Sequence, residues 1–299
     1  MSCGILRSRR DVAIGLVLAS LSARLLAQPS PTPLSAELVK TGLYLIGGGG
    51  CNSLLRLSGA GTILVDGKQP GTYRALMSQV RRINKLSDLP LRVVIFTNHH
   101  DLHAGNRIQF IDAGVAVLAH ADALPRLAAT QAPPTPASAA GARGKPGTVF
   151  GFQRRHDFRM GGVEVQLHEA GPAATGGDIV VLFPDLRVLA VGELYSQEAP
   201  LPDFGGGGTL AGWGPALEQV LKLDFDLAVP SIGPPVGRAE LVAFKERVQT
   251  LTSRAAALVR AGVAQDRFLQ DLTTADLGWT MRLDAQAVSR LYADLSRRS

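Results

Sequence analysis

Short apolar runs rich in β-branched residues, broken by glycine and proline, occupy the first two thirds of the chain, and helically spaced apolar residues dominate the rest. "LYLI" (43–46), "NSLLRL" (52–57) and "GTILVD" (61–66) predict three successive strands in an antiparallel opening, because glycines end each run at the spacing of tight connections. "PGTYRALMSQVRRI" carries apolar residues at helical spacing behind a Pro-Gly start and predicts a helix, and "LRVVIFT" after it reads as a buried strand. "VAVLAH", "VEVQLHEAG", "DIVVLFPD" and "RVLAVGE" predict further strands. From Ala211 the period becomes helical, through "AGWGPALEQVLKL", a strand "LAVP", "RAELVAFKERVQTLTSRAAALVRAG" and "DAQAVSRLYADLSRR". The mixture predicts an α/β (α+β) domain rather than an all-helical one. "TQAPPTPASAAGARGKPG" (130–147) has neither period and reads as a surface insertion, with a lid as the other reading. There is no internal repeat of fixed period.

The chain has 299 residues, is 46% hydrophobic and only 19% charged, which is ample for a large core. Its first 27 residues differ from the rest: Arg7, Arg9 and Arg10 precede an apolar run from Val12 to Leu21, and Ala27 is followed by "QPSPTP". That is the pattern of an export signal. The apolar run is too short for a bilayer core of ~30 Å, so cleavage is expected, with no transmembrane segment in the mature chain. "SRRDVAIG" fits a twin-arginine signal with Val12 where that pattern prefers Phe; an ordinary secretory signal with an extra arginine is the other reading. The expectation is an exported, periplasmic or extracellular protein with residues 28–299 as one domain.

Four arginines and one aspartate leave with such a leader, which lowers the formal charge from +6 to +3. The remaining basic residues are scattered, apart from "RRH" and the terminal "SRRS", so there is no stripe suited to phosphates and a nucleic-acid partner is excluded. Cys3 leaves with the leader and Cys51 is then alone, so no internal disulfide is expected and Cys51 reads as a buried small hydrophobe.

Candidate chemistry concentrates in "TNHHDLHAGN" (97–106), at the end of the "LRVVIFT" strand, where His99, His100, Asp101 and His103 are each able to bind a metal or move a proton. From about Gly42 to Glu240 the chain resembles the metallo-β-lactamase superfamily. The resemblance is carried in order by "GTILVDGKQPG", "VVIFTNHHDLHAGN", "VLAHADAL", "LHEAGPAATGGDIVVLFPDLRVLAVGELY" and "DFDLAVPSIGPPVGRAEL". It implies a four-layer αββα sandwich with metals held in loops at the sheet edges. In active members two zinc ions are held by three histidines and an aspartate of the first motif, a histidine of the second, a bridging aspartate, and a histidine of the last loop. Zinc bound this way lowers the pKa of its water to about 7.

In that register Asn98 stands at the first histidine, His100 at the second, Leu102 at the aspartate and His103 at the third. Ala174 stands at the second-motif histidine, Glu193 at the bridging aspartate and Ile232 at the last-loop histidine. Leu102, Ala174 and Ile232 have no donor atom in the side chain, which argues against two-zinc hydrolysis. His100, His103 and Glu193 remain as a two-histidine, one-carboxylate set for a single, weakly held transition metal: zinc, iron or manganese. The alternative is a polar pocket without metal, in which these groups and Asn98 hydrogen-bond to one another. Asn98, His99, Asp101 and Asp66 are the pocket candidates.

Asp66 and Asp178 are expected to fix loop amides, and His120 and His168 to be structural. The glycine runs at 47–50 and 205–208 lack the Lys-Ser/Thr ending of a phosphate loop and read as turns, the second bordering the pocket. Ser231 and Cys51 have no assignable base, and no catalytic residue is assigned. Two functions follow: a non-hydrolytic protein that binds a small molecule or protein partner in the old cleft, or a hydrolase with one metal at His100, His103 and Glu193.

Overall fold

The computed structural model describes residues 33–86, 89–129 and 147–297. The expected leader and nearly all of the 130–147 insertion lie outside the described residues. The first half holds β1 (Ser35–Lys40), β2 (Leu43–Gly47), β3 (Ser53–Ser58), β4 (Gly61–Val65), α1 (Tyr73–Ile83), β5 (Leu91–Ile95), α2 (Asp101–Ala104), α3 (Arg107–Asp112), β6 (Ala116–His120), α4 (Leu124–Ala129) and β7 (Val149–Phe152). The second half holds β8 (Arg155–Met160), β9 (Val163–Glu169), β10 (Ile179–Phe183), β11 (Val188–Gly192), α5 (Leu210–Val220), β12 (Leu227–Pro230), β13 (Val236–Gly237), α6 (Arg238–Arg260), α7 (Phe268–Asp271) and α8 (Ala285–Ser296).

Two sheets form, one in the order β1-β2-β3-β4-β5-β6-β7 and the other β13-β12-β11-β10-β9-β8. Strand alternation sorts the core into three slabs. Ile63 and Val65 of β4 face Val165, Leu167 and Val181 of the second sheet. Leu64, between them in sequence, faces the other way, onto Leu76 and Val80 of α1 and Phe110 of α3. Val180 and Leu182 of β10 likewise point outward, onto Trp213 and Leu217 of α5 and Phe244 and Val248 of α6. The result is the expected αββα sandwich. Strands such as "GTILV" and "IVVLF" read as unbroken apolar runs because both of their faces are covered.

β1, β7 and β8 are strands that apolar patterning does not predict. They form the sheet edges, and their residues are mostly exposed or half-buried. On β1 and β8 charged side chains discourage pairing with other chains and also erase the hydrophobic alternation that announces a strand, while β7, "VFGF", is short and interrupted by Gly151. Among the described residues no helix is long and apolar enough to cross a membrane.

β4, β5 and β6 run parallel, as do β11 and β12. The loops leaving their C-terminal ends meet at one edge of the sandwich, where the backbone ties them together: Ile179 N donates to Thr97 O at 2.9 Å, Ser231 N to Gly192 O at 2.8 Å, and Gly67 N to His103 O at 2.6 Å.

Candidate functional site

The floor of the site is the turn after β4. Asp66 and Lys68 both sit at positive φ, 63° and 66°, a conformation that non-glycine residues adopt only when their surroundings impose it. The Asp66 carboxylate accepts from Thr97 N at 2.8 Å and Thr97 Oγ1 at 2.8 Å, and lies 2.9 Å from His103 Nδ1. Lys68 is fully buried, and its Nζ donates to three carbonyls of the preceding glycine loop: Ile46 at 2.8 Å, Gly48 at 2.7 Å and Cys51 at 2.5 Å. Burial pushes its pKa down to about 8, against the charges of Cys51 and Asp66. Asn106 braces the same turn from above, donating to Gly67 O at 2.8 Å and Gln69 O at 2.9 Å.

The wall comes from the β5 loop. Asn98 Oδ1 accepts from His100 N at 2.9 Å, an Asx-type turn that bends the chain into α2. The turn sends His100 and His103 toward the second sheet. Asp101 points away and lies 3.7 Å from Arg107, with its side chain 57% exposed. His103 is completely buried. Burial opposes charge on its ring, but the Asp66 carboxylate and then Glu193 outweigh that effect and raise its pKa well above the ordinary histidine value.

Glu193 reaches these histidines from the other sheet. It follows Gly192, whose φ is 56° and whose missing Cβ would lie 2.9 Å from Thr97 Oγ1, so glycine permits the close approach of the two loops. Glu193 Oε2 accepts from Asn98 Nδ2 at 3.0 Å and lies 2.8 Å from His100 Nδ1, while Oε1 is 3.4 Å from His103 Nε2. Burial opposes its charge, but His100, hydrogen-bonded to it, and His103 beside it prevail and hold the carboxyl well below the usual carboxylate range. Burial likewise opposes charge on His100, and Glu193 followed by Asp203 raises its pKa.

Asp203 is a site residue that sequence reasoning missed. Its Oδ2 lies 3.2 Å from His100 Nε2 and 3.4 Å from His99 Nε2. The loop that presents it is pinned at its backbone: Asp203 N donates to Ala174 O at 2.8 Å, Gly176 N to Gly206 O at 2.9 Å, and Thr209 N to Ala173 O at 2.9 Å. Asp203 Oδ1 also accepts from Gly206 N at 2.7 Å. An aspartate three residues before a glycine is a turn signal, and "DFGGGG" carries it. The glycine run at 205–208 therefore borders the pocket, as the sequence reading expects.

The other expected residues fall as follows. Leu102 lies over the glycine loop, its Cδ2 3.0 Å from where a Cβ on Gly50 would stand. Ala174 is buried at 2% exposure and Ile232 is exposed at 63%. Asp178 fixes a loop amide, accepting from Thr175 N at 2.8 Å, and burial pushes its carboxyl up to about 7 despite the Thr175 bonds. His120 caps the turn after β6 by accepting from Asp122 N. Cys51 is buried, and burial pushes its thiol up to about 11. Among the described residues, two trios bring donor atoms within 4.8 Å of one another: Cys51, Asp66 and His103 in the floor, and His99, His100 and Asp203 at the rim.

A family model described as the metallo-beta-lactamase superfamily matches residues 46–231. The chain belongs to that superfamily. Its fold is similar to a metallo-beta-lactamase from Pontibacter korlensis, at 19% identity and a TM-score of 0.58, covering 72% of this chain and 99% of that one. It is also similar to the metallo-beta-lactamase FIM-1 from Pseudomonas aeruginosa in its mono-zinc form, at 20% identity and a TM-score of 0.59, covering 75% and 98%. The stereoselective inverting sec-alkylsulfatase Pisa1 from Pseudomonas sp. gives 15% identity and a TM-score of 0.68, covering 88% of this chain and 50% of that one. No curated protein sequence matches the chain. At these identities the likeness is one of metallo-β-lactamase fold, and what the cleft does rests on the residues in it.

Proposed function

We propose that the chain is an exported metallo-β-lactamase-fold protein that binds a ligand or partner in the old catalytic cleft and does not hydrolyse it. The observation that carries this reading is the occupation of Glu193. In the superfamily register it stands at the metal-bridging position, yet Oε2 is engaged by His100 and Asn98, and Oε1 faces His103. Groups that hold metal in active relatives are here partners of one another. A two-zinc centre does not fit the residues present, because Leu102, Ala174 and Ile232 supply no donor and the Asn98 amide is spent on Glu193 and the His100 backbone. The cleft is left with a paired, polar lining suited to a small molecule or a protein segment that exchanges hydrogen bonds with it. Export rests on the leader pattern of residues 1–27.

One observation favours the second reading, a hydrolase with a single metal at His100, His103 and Glu193. His103 Nε2 is buried without a hydrogen bond, an orphaned donor or acceptor of a kind a metal would satisfy. A hydrolase assay separates the two. Purified protein loaded with zinc, manganese or iron(II) is offered a β-lactam, a thioester, a phosphodiester and a secondary alkyl sulfate. The expected outcome is no turnover above that of a His100→Ala/His103→Ala variant. Turnover that the double substitution abolishes would overturn the binding reading and establish the single-metal hydrolase.

A further inference from the structure

We propose that His99, His100 and Asp203 form a binding site for one divalent first-row transition cation, displaced from the superfamily's ligand positions, with Glu193 orienting His100 from outside it. This goes beyond the binding reading and does not depend on it. Two of the three donors, His99 and Asp203, lie at positions that the superfamily register does not use.

Both imidazoles turn the same nitrogen to one carboxylate oxygen: His99 Nε2 at 3.4 Å and His100 Nε2 at 3.2 Å from Asp203 Oδ2. The rings are inclined at 67° with centroids 4.9 Å apart, so they converge on that point and do not stack. Two imidazoles and one carboxylate with open positions beside them suit a first-row transition cation better than magnesium or calcium, which prefer all-oxygen shells. The side chains are 11%, 29% and 34% exposed for His99, His100 and Asp203, so an ion reaches them from solvent. By contrast, the floor trio of Cys51, Asp66 and His103 is sealed.

Glu193 supplies the second half of the argument. A carboxylate only accepts, so His100 donates its Nδ1 proton to Glu193, which leaves Nε2, on the side of Asp203 and His99, as the nitrogen a cation would take by displacing its proton. Carboxylate–histidine–metal arrays fix the tautomer and raise ligand basicity in this way.

The loop that delivers Asp203 is shaped for close approach. A Cβ on Gly206 would lie 2.1 Å from Asp203 Oδ2 and 2.8 Å from His99 Cε1, so only glycine lets the turn close over both donors. A Cβ on Gly208 would lie 2.2 Å from Ala174 O, which holds the loop on the segment where the superfamily has a histidine ligand. The chain has lost a donor at Ala174 and docks, on that same backbone, the loop that brings in Asp203.

The test uses full-length protein stripped with chelator, titrated with zinc by calorimetry and with cobalt(II) by visible absorption. One ion per chain is expected. His99→Gln and Asp203→Asn, which preserve size and hydrogen-bonding capacity, should each weaken zinc by at least about tenfold, and Glu193→Gln by roughly 10–100-fold through loss of the orienting carboxylate. Gly206→Ala should weaken it as well, and His103→Gln, its fold checked by circular dichroism, should weaken it less than Glu193→Gln does, because His103 reaches the site only through Glu193. Unchanged affinity in both His99→Gln and Asp203→Asn would overturn the site, as would no zinc binding by the wild type, or a loss confined to His103→Gln. Hydrolysis by the same zinc-loaded sample would instead sink the binding reading while leaving the cation site standing.

Discussion

Lys68→Met is expected to destabilise the protein by about 3–5 kcal/mol, measured by urea unfolding at pH 7, because it strips the partner from three carbonyls at once. Lys68 is buried, and its ammonium closes the glycine loop by binding Ile46, Gly48 and Cys51. Methionine matches the stem in volume but donates nothing, and each orphaned carbonyl costs about 1–3 kcal/mol. The pH dependence distinguishes this from a packing defect. The folded pKa of Lys68 is lowered to about 8, so between there and the ordinary value of 10.5 the unfolded chain binds more protons and the lysine's contribution rises with pH. The gap between wild type and Lys68→Met should therefore widen from pH 8 upward. Cys51, whose raised pKa gives the opposite trend, interacts with Lys68 and would not cancel, so both chains carry Cys51→Ala in this comparison.

Glu193→Gln, in metal-stripped protein, is expected to cost about 2 kcal/mol, less than a fully buried pair would because the carboxylate is 23% exposed and partly screened by solvent. The isosteric amide keeps the volume and removes the charge that pairs with His100 and His103. The sign follows from the three groups. Glu193 has its pKa depressed, so its contribution is present above the ordinary glutamate value and is lost as pH falls through the folded value. His100 and His103 have theirs raised, so their contribution is full below the ordinary histidine value of 6.5 and is lost as pH rises through the folded values. The difference between wild type and variant should peak on the plateau between 4.5, the ordinary value for glutamate, and 6.5, and shrink on either side. A difference independent of pH would mean that Glu193 acts by shape alone.

The αββα architecture was legible because β4 and β10 are buried on both faces and leave unbroken apolar runs. The edge strands were not: charges hide the period of β1 and β8, and β7 is a four-residue run interrupted by a glycine. In the site, Asp66 was readable from its place after a strand and before a turn, and Glu193 from its place after β11. His99 and Asp101 were not separable in sequence, for both fall between motif positions. The Asx turn at Asn98 decides between them, turning His99 to Asp203 and Asp101 outward to Arg107. Asp203 has no motif, and only its docking on Ala174 O brings it to the histidines. Lys68 was invisible for a different reason: a lysine reads as surface unless its three carbonyl partners are already known.

On the reading proposed above, the superfamily's two-metal centre has given way to a paired polar cleft that takes one cation, at His99, His100 and Asp203. Native mass spectrometry of the full chain in zinc excess tests it most directly. One specifically bound zinc per chain, retained in His103→Gln and lost in Asp203→Asn, is the predicted result; two zinc ions per chain, lost together when His100 and His103 are replaced, would contradict it.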